Sequence, residues 1–156
     1  MSQMNTDPWT VFGYEVKMFF LTRREIAARG APADDVGLVL KNALVESSLL
    51  HTRILADILL ARGSAKDDIA LSHLLPPGTA SLRLTKTLAN LKAAWGSRNQ
   101  KGSVCWTINK MLAHPTFWRS DGYDYGAVAN AVDAHIADAV EEIAVLTHRQ
   151  GLLTFR

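Results

Sequence analysis

Apolar residues return along most of this chain every three or four positions, the period of a helix with a buried face, and proline and glycine cut the pattern into separate runs. The first run, residues 8–29, places Trp9, Phe12, Val16, Phe19, Phe20 and Ala27 on one face and Tyr14, Met18 and Leu21 on a second. Asp7 stands as N-cap before Pro8, and Gly30 closes the run. Two apolar faces predict burial between neighbours or at a dimer seam. The second run, residues 34–62, carries a stripe of Val36, Leu40, Leu44, Ser47, His51, Ile54 and Ile58 and another of Leu38, Val45, Leu49, Ala56 and Leu60. A helix apolar on most sides is expected at the centre of a bundle. Asp34 and Asp35 suit the positive end of its dipole, and Arg62 before Gly63 predicts its end.

A short helix is expected near residues 66–74, stopped by Pro76 and Pro77. The next long run begins near residue 79 with Leu84, Leu88, Leu91 and Trp95 on one side and Arg83 and Lys86 on the other, and breaks over residues 96–102. Residues 103–114 resume with Val104, Ile108, Met111 and Leu112 and stop at Pro115, and residues 127–149 repeat Val128, Val132, Ile136, Val140 and Ile143. No useful stretch alternates with period two between turn residues. The expected architecture is all-α, an antiparallel helical bundle of four to five helices in a single domain over residues 1–156, with its core at about 8–150.

Composition narrows the class. With 48% hydrophobic residues and a formal charge of +2, the chain buries enough surface to fold, which excludes a disordered or collagenous chain. That charge is too small to argue nucleic-acid binding from the global field, so any basic surface must be local. The single cysteine, Cys105, supports neither an internal disulfide nor a thiolate zinc site, and suits a cytoplasmic setting. Residues 1–9 show no basic-then-apolar leader, and Lys41, Glu46, His51, Arg53 and Asp57 interrupt the most apolar stretch, so no membrane partner is expected.

Chemistry concentrates in two places. In the first, His114 ends a helix directly before Pro115, where the negative end of the dipole favours the imidazolium of a group that already titrates near neutrality. Lys110 and Arg119 could neutralise a phosphate there, and Trp118 or Trp106 could stack on a base. The plainer account is a histidine capping last-turn carbonyls among solvated basic residues. In the second, Glu46, His51 and Arg53 lie together on the second helix, either as support for a catalytic histidine on a facing helix or as a satisfied core histidine with an ion pair that sets register. Metal and cofactor chemistry is not expected. Positions three after Glu46, Glu141 and Glu142 hold Leu49, Ala144 and Val145 where a di-iron bundle needs histidine, and phosphate loops and serine triads are absent.

The segments Glu46-Ser-Ser-Leu-Leu-His51-Thr-Arg53, Lys66-Asp-Asp-Ile and Ile108-Asn-Lys-Met-Leu-Ala-His114-Pro-Thr resemble a bacterial group of small helical proteins of the HEPN superfamily, over roughly residues 35–120. The resemblance implies a helical bundle, often a homodimer, and in many members a metal-independent ribonuclease of toxin-antitoxin or phage-defence systems. Its signature is Arg, four to six residues, then His, which makes His114 the signature histidine. The three positions for the Arg hold Thr107, Ile108 and Asn109, so phosphate positioning must come from Lys110, Arg119 or a partner subunit, with Asn109 aiding His114 in catalysis. Two functions follow: a ribonuclease with His114 as acid-base, or a non-catalytic module that binds RNA or a protein partner such as an antitoxin.

Overall fold

The computed structural model describes residues 7–63, 68–113 and 125–156. Among them all regular secondary structure is helical: α1 (Pro8–Ala28), α2 (Asp35–Leu59), α3 (Leu71–Leu74), α4 (Leu82–Trp95), α5 (Val104–Ala113) and α6 (Tyr125–Leu146), closed by a 3-10 turn, Gln150–Leu153. α1 packs along α2 and α4 along α6, while α2 also touches α5 and α6.

Local chemistry sets the helix ends. The Asp7 carboxylate accepts the Trp9 N–H, and Pro8 occupies the first turn. Asp34 caps α2 by accepting the Gly37 N–H at 2.7 Å, and Ser81 caps α4 by accepting the Leu84 N–H at 3.0 Å. α2 stops before the expected Arg62: Ala61 takes a left-handed conformation, φ 51°, and the Arg62 N–H returns to the Asp57 carbonyl at 2.9 Å. That six-to-one closure satisfies carbonyls that the next turn would otherwise have used. α6 likewise ends at Leu146, short of residue 149, with His148 left-handed at φ 55° and Arg149 N–H bonded to the Ala144 carbonyl.

The core is built from one stripe of each long helix. Phe12, Val16 and Phe19 of α1 meet Leu49, Leu55 and Ile58 of α2, and Leu84, Leu91 and Trp95 of α4 meet Val132, Ile136, Val140 and Ile143 of α6. A fully buried aliphatic or aromatic side chain stabilises by about 1.5–3 kcal/mol, so these positions dominate the fold. Cys105, Ile108 and Met111 of α5 join the same core. α2 departs from its expected central role over its first turns: Val36, Leu38, Val39 and Leu40 are exposed, and burial begins at Ser48. On α1, Ala27 is exposed, Met18 and Leu21 are half-buried, and Tyr14 is exposed.

Candidate functional site

α5 is set by the loop before it. Gly96 adopts φ 70°, and a Cβ there would lie 2.6 Å from the Ser103 Cβ, so only glycine allows this approach. Ser103 donates to the Ser97 carbonyl at 2.6 Å and accepts the Trp106 N–H at 3.1 Å, which starts the helix. From below, the Arg62 guanidinium donates to the Gly96 carbonyl at 2.8 Å and to the Cys105 Sγ at 3.6 Å. Cys105 is buried and takes no surface role.

This frame turns the α5 side chains in two directions. Asn109 faces its own helix: its amide donates to the Cys105 carbonyl at 2.8 Å and to the Cys105 Sγ at 3.4 Å. Lys110 is exposed, its ammonium 6.0 Å from the centre of the half-buried Trp106 ring. A cation at that distance from an indole is weakly held and free to exchange its partner. His114, Trp118 and Arg119 lie outside the described residues.

Glu46, His51 and Arg53 are not gathered into one cluster. His51 is buried and its Nδ1 lies 2.6 Å from an oxygen of Glu15 on α1, itself buried, with the exposed Tyr14 ring edge-on at 5.9 Å. Arg53 points along its own helix to Asp57 at 3.7 Å. Glu46 is exposed, two residues before burial begins. The physical reason is helical phase: residues five apart are about 140° apart around the axis, so Glu46 faces outward when His51 faces α1.

A second polar lock was not anticipated. Arg23 of α1 forks onto both carboxylate oxygens of Asp133 on α6, donates to Thr52 of α2 at 2.7 Å, and stacks over Phe19 at 3.7 Å. The Thr52 hydroxyl in turn donates to the Ser48 carbonyl at 2.8 Å. One guanidinium thus ties three helices. No local signal in the sequence joins Arg23 to Asp133, which stand 110 residues apart.

Two clefts flank these groups. One, of about 380 Å³, lies between α1, α2 and α6 and is walled by Ile26, Val45, Leu49 and Ala129, with Arg23 and Asp133 already engaged with each other at its polar side. The other, of about 410 Å³, lies beside the end of α2 and brings Arg53, Arg62 and Arg98 near Asp57 and Asp68. Burial pushes the Asp57 carboxyl above its ordinary range, against the opposing pull of those three guanidiniums. Among the described residues no three His, Cys, Asp or Glu side chains converge as metal ligands, and no helix is long and apolar enough to cross a membrane. No family model, curated protein or solved structure matches the chain.

Proposed function

We propose that the chain is a HEPN-like antiparallel bundle that acts on RNA as a homodimer in the cytoplasm, as a metal-independent endoribonuclease of a toxin-antitoxin or phage-defence system. The observation that supports contact with RNA is the solvent face of α5, where the Lys110 ammonium sits over the Trp106 ring one turn before the His114-Pro115 stop. A cation for phosphate beside an aromatic ring for a base is the pairing that single-stranded RNA binds. Without a metal the nucleophile is the ribose 2′-hydroxyl. A base removes its proton, the oxygen attacks the adjacent phosphorus, the bond to the 5′-oxygen breaks, and an acid protonates that oxygen, leaving a 2′,3′-cyclic phosphate and a 5′-hydroxyl. Two copies of His114, one from each subunit, would divide the roles of base and acid.

A specific observation favours a second reading, a non-catalytic RNA-binding or protein-interaction module. Positions 107–109 carry no arginine, and the amide of the half-buried Asn109 is spent on the Cys105 carbonyl and Sγ. Cleavage of a mixed RNA pool in EDTA by wild type and His114→Ala separates the two. The ribonuclease reading expects metal-free cutting that falls at least about 100-fold in the variant. RNA binding weakened by Lys110→Ala, with no cutting by a folded wild type, establishes the module. Neither cutting nor binding overturns both.

A further inference from the structure

We infer that the outer face of the first turns of α2 is a homodimer seam, in which two copies of this helix cross antiparallel about Ala43. This concerns assembly, and stands whether or not the chain acts on RNA.

No residue from 35 to 47 is buried, although the segment includes Val36, Leu38, Val39, Leu40, Leu44 and Val45. At 1.5 Å per residue this is about 20 Å of largely apolar helix with little of its own fold around it. An isolated helix of that length is marginal in water, and one apolar on several sides is ordinarily buried. The outward residues are ordered. Val36, Val39, Leu40, Ala43 and Leu50 follow the i, i+3, i+4, i+7 rule, and all five are exposed, Val36 by 67%, Val39 by 66%, Leu40 by 48% and Leu50 by 43%. With about 100° per residue they fall within roughly 100° of one another, and their centre lies about 150° from the core-facing set of Ser48, Thr52, Leu55 and Leu59. The helix therefore has an inner stripe that the fold covers and an outer stripe that the described residues leave open. An open stripe with this spacing is the seam of a helix pair.

The charges beside the stripe select a second copy as the occupant. Asp35, Asn42, Glu46 and Arg53 all lie on one flank, in the order acid, amide, acid, base. In an antiparallel pair that flank meets itself about a two-fold axis, so each end is read against the opposite end. Crossing near Ala43 brings Val36 of one copy to Leu50 of the other. The same crossing brings Asp35 to within two residues, about 3 Å along the axis, of Arg53 of the other copy, which would exchange its partner Asp57, and Asn42 equally close to Glu46, twice each by symmetry. A parallel pair about a two-fold axis would instead set this flank against the opposite flank of the partner, which carries Gly37 and Leu44 and offers Asp35 and Glu46 no matching charge. Ala43, the smallest side chain of the stripe, occupies the crossing point, where a short side chain lets the helices approach. The seam differs from the one expected on Tyr14, Met18 and Leu21, of which Met18 and Leu21 are half-buried within the subunit.

The test uses the purified full chain in sedimentation velocity and light scattering. Wild type is expected to be a dimer; Val39→Glu, an exposed position that leaves the core intact, weakens it at least about 30-fold, with the Tm falling only to that of wild type diluted to monomer. Asp35→Arg weakens the dimer and Asp35→Arg with Arg53→Asp restores it, a rescue that a merely unstable helix would not give. Ala43→Cys, with Cys105 buried, cross-links under mild oxidation into a covalent dimer. A monomer at the highest soluble concentration overturns the inference. So does a dimer that Val39→Glu leaves unchanged while Tyr14→Asp breaks it.

Discussion

The two halves of α2 have similar composition and opposite fates. From Ser48 onward the helix buries Leu49, Leu55, Ala56, Ile58 and Leu59, and its polar side chains are bound into neighbouring helices: His51 to Glu15, Thr52 to Arg23. From Asp35 to Ser47 no residue is buried, and the Asp34 cap secures the start. Hydrophobic periodicity is equal in both, so what distinguishes them is whether the other described residues supply a surface to meet the stripe. An apolar pattern reports that a face seeks cover, and is silent about which chain provides it.

That contrast can be broken at its strong end first. Leu55→Ala and Phe12→Ala, both fully buried, should each cost about 3–5 kcal/mol in urea unfolding, whereas Val36→Ala should cost under about 0.5 kcal/mol when the chain is kept monomeric by Val39→Glu. Equal losses from the two halves would erase the distinction. Next comes the polar lock: His51→Ala leaves the buried Glu15 carboxylate without its partner and should cost about 3 kcal/mol, and Glu15→Gln with His51 retained should recover much less than the double replacement Glu15→Leu with His51→Leu. A His51→Ala variant as stable as wild type would mean that the pair carries no burial penalty.

How much of this was legible in the sequence follows the same division. Helix positions came through because their signals are local: Asp7 with Pro8, Pro76 with Pro77, and the glycine at 96 stand where helices begin or end. The inner stripes were legible for the same reason, since Leu84, Leu91 and Trp95 are neighbours in one helix before they are neighbours in the core. The polar locks were not. Glu15 and His51 are separated by 36 residues, and Arg23 and Asp133 by 110, so each partner reads alone as an ordinary charged position on its own helix. His51 was therefore grouped with Glu46 and Arg53, its companions in sequence, when its companion in space is Glu15. The end of α2 was also hidden, because Ala61 takes the left-handed position that glycine usually marks.

Two smaller effects sharpen the picture at the end of α2. Ala61→Gly should stabilise by about 0.5 kcal/mol, the relief of left-handed strain set against a more flexible unfolded chain, measured as a rise in the urea midpoint. Asp57 sets a pH dependence: its folded carboxyl holds a proton above the unfolded pKa, so the folded state binds more protons in that window and stability falls as pH rises through it. Asp57→Asn should flatten that fall on the acid side of neutrality, and an unchanged pH profile would remove Asp57 from the account.

Hydrogen exchange along α2, followed as the protein is diluted, reads both halves in one experiment. The account predicts that amides from Ser48 to Leu59 stay protected at every concentration, while those between Leu38 and Ser47 lose protection in step with the dissociating dimer. Protection of the first turns that is independent of concentration, or equal to that of the second half, would contradict it.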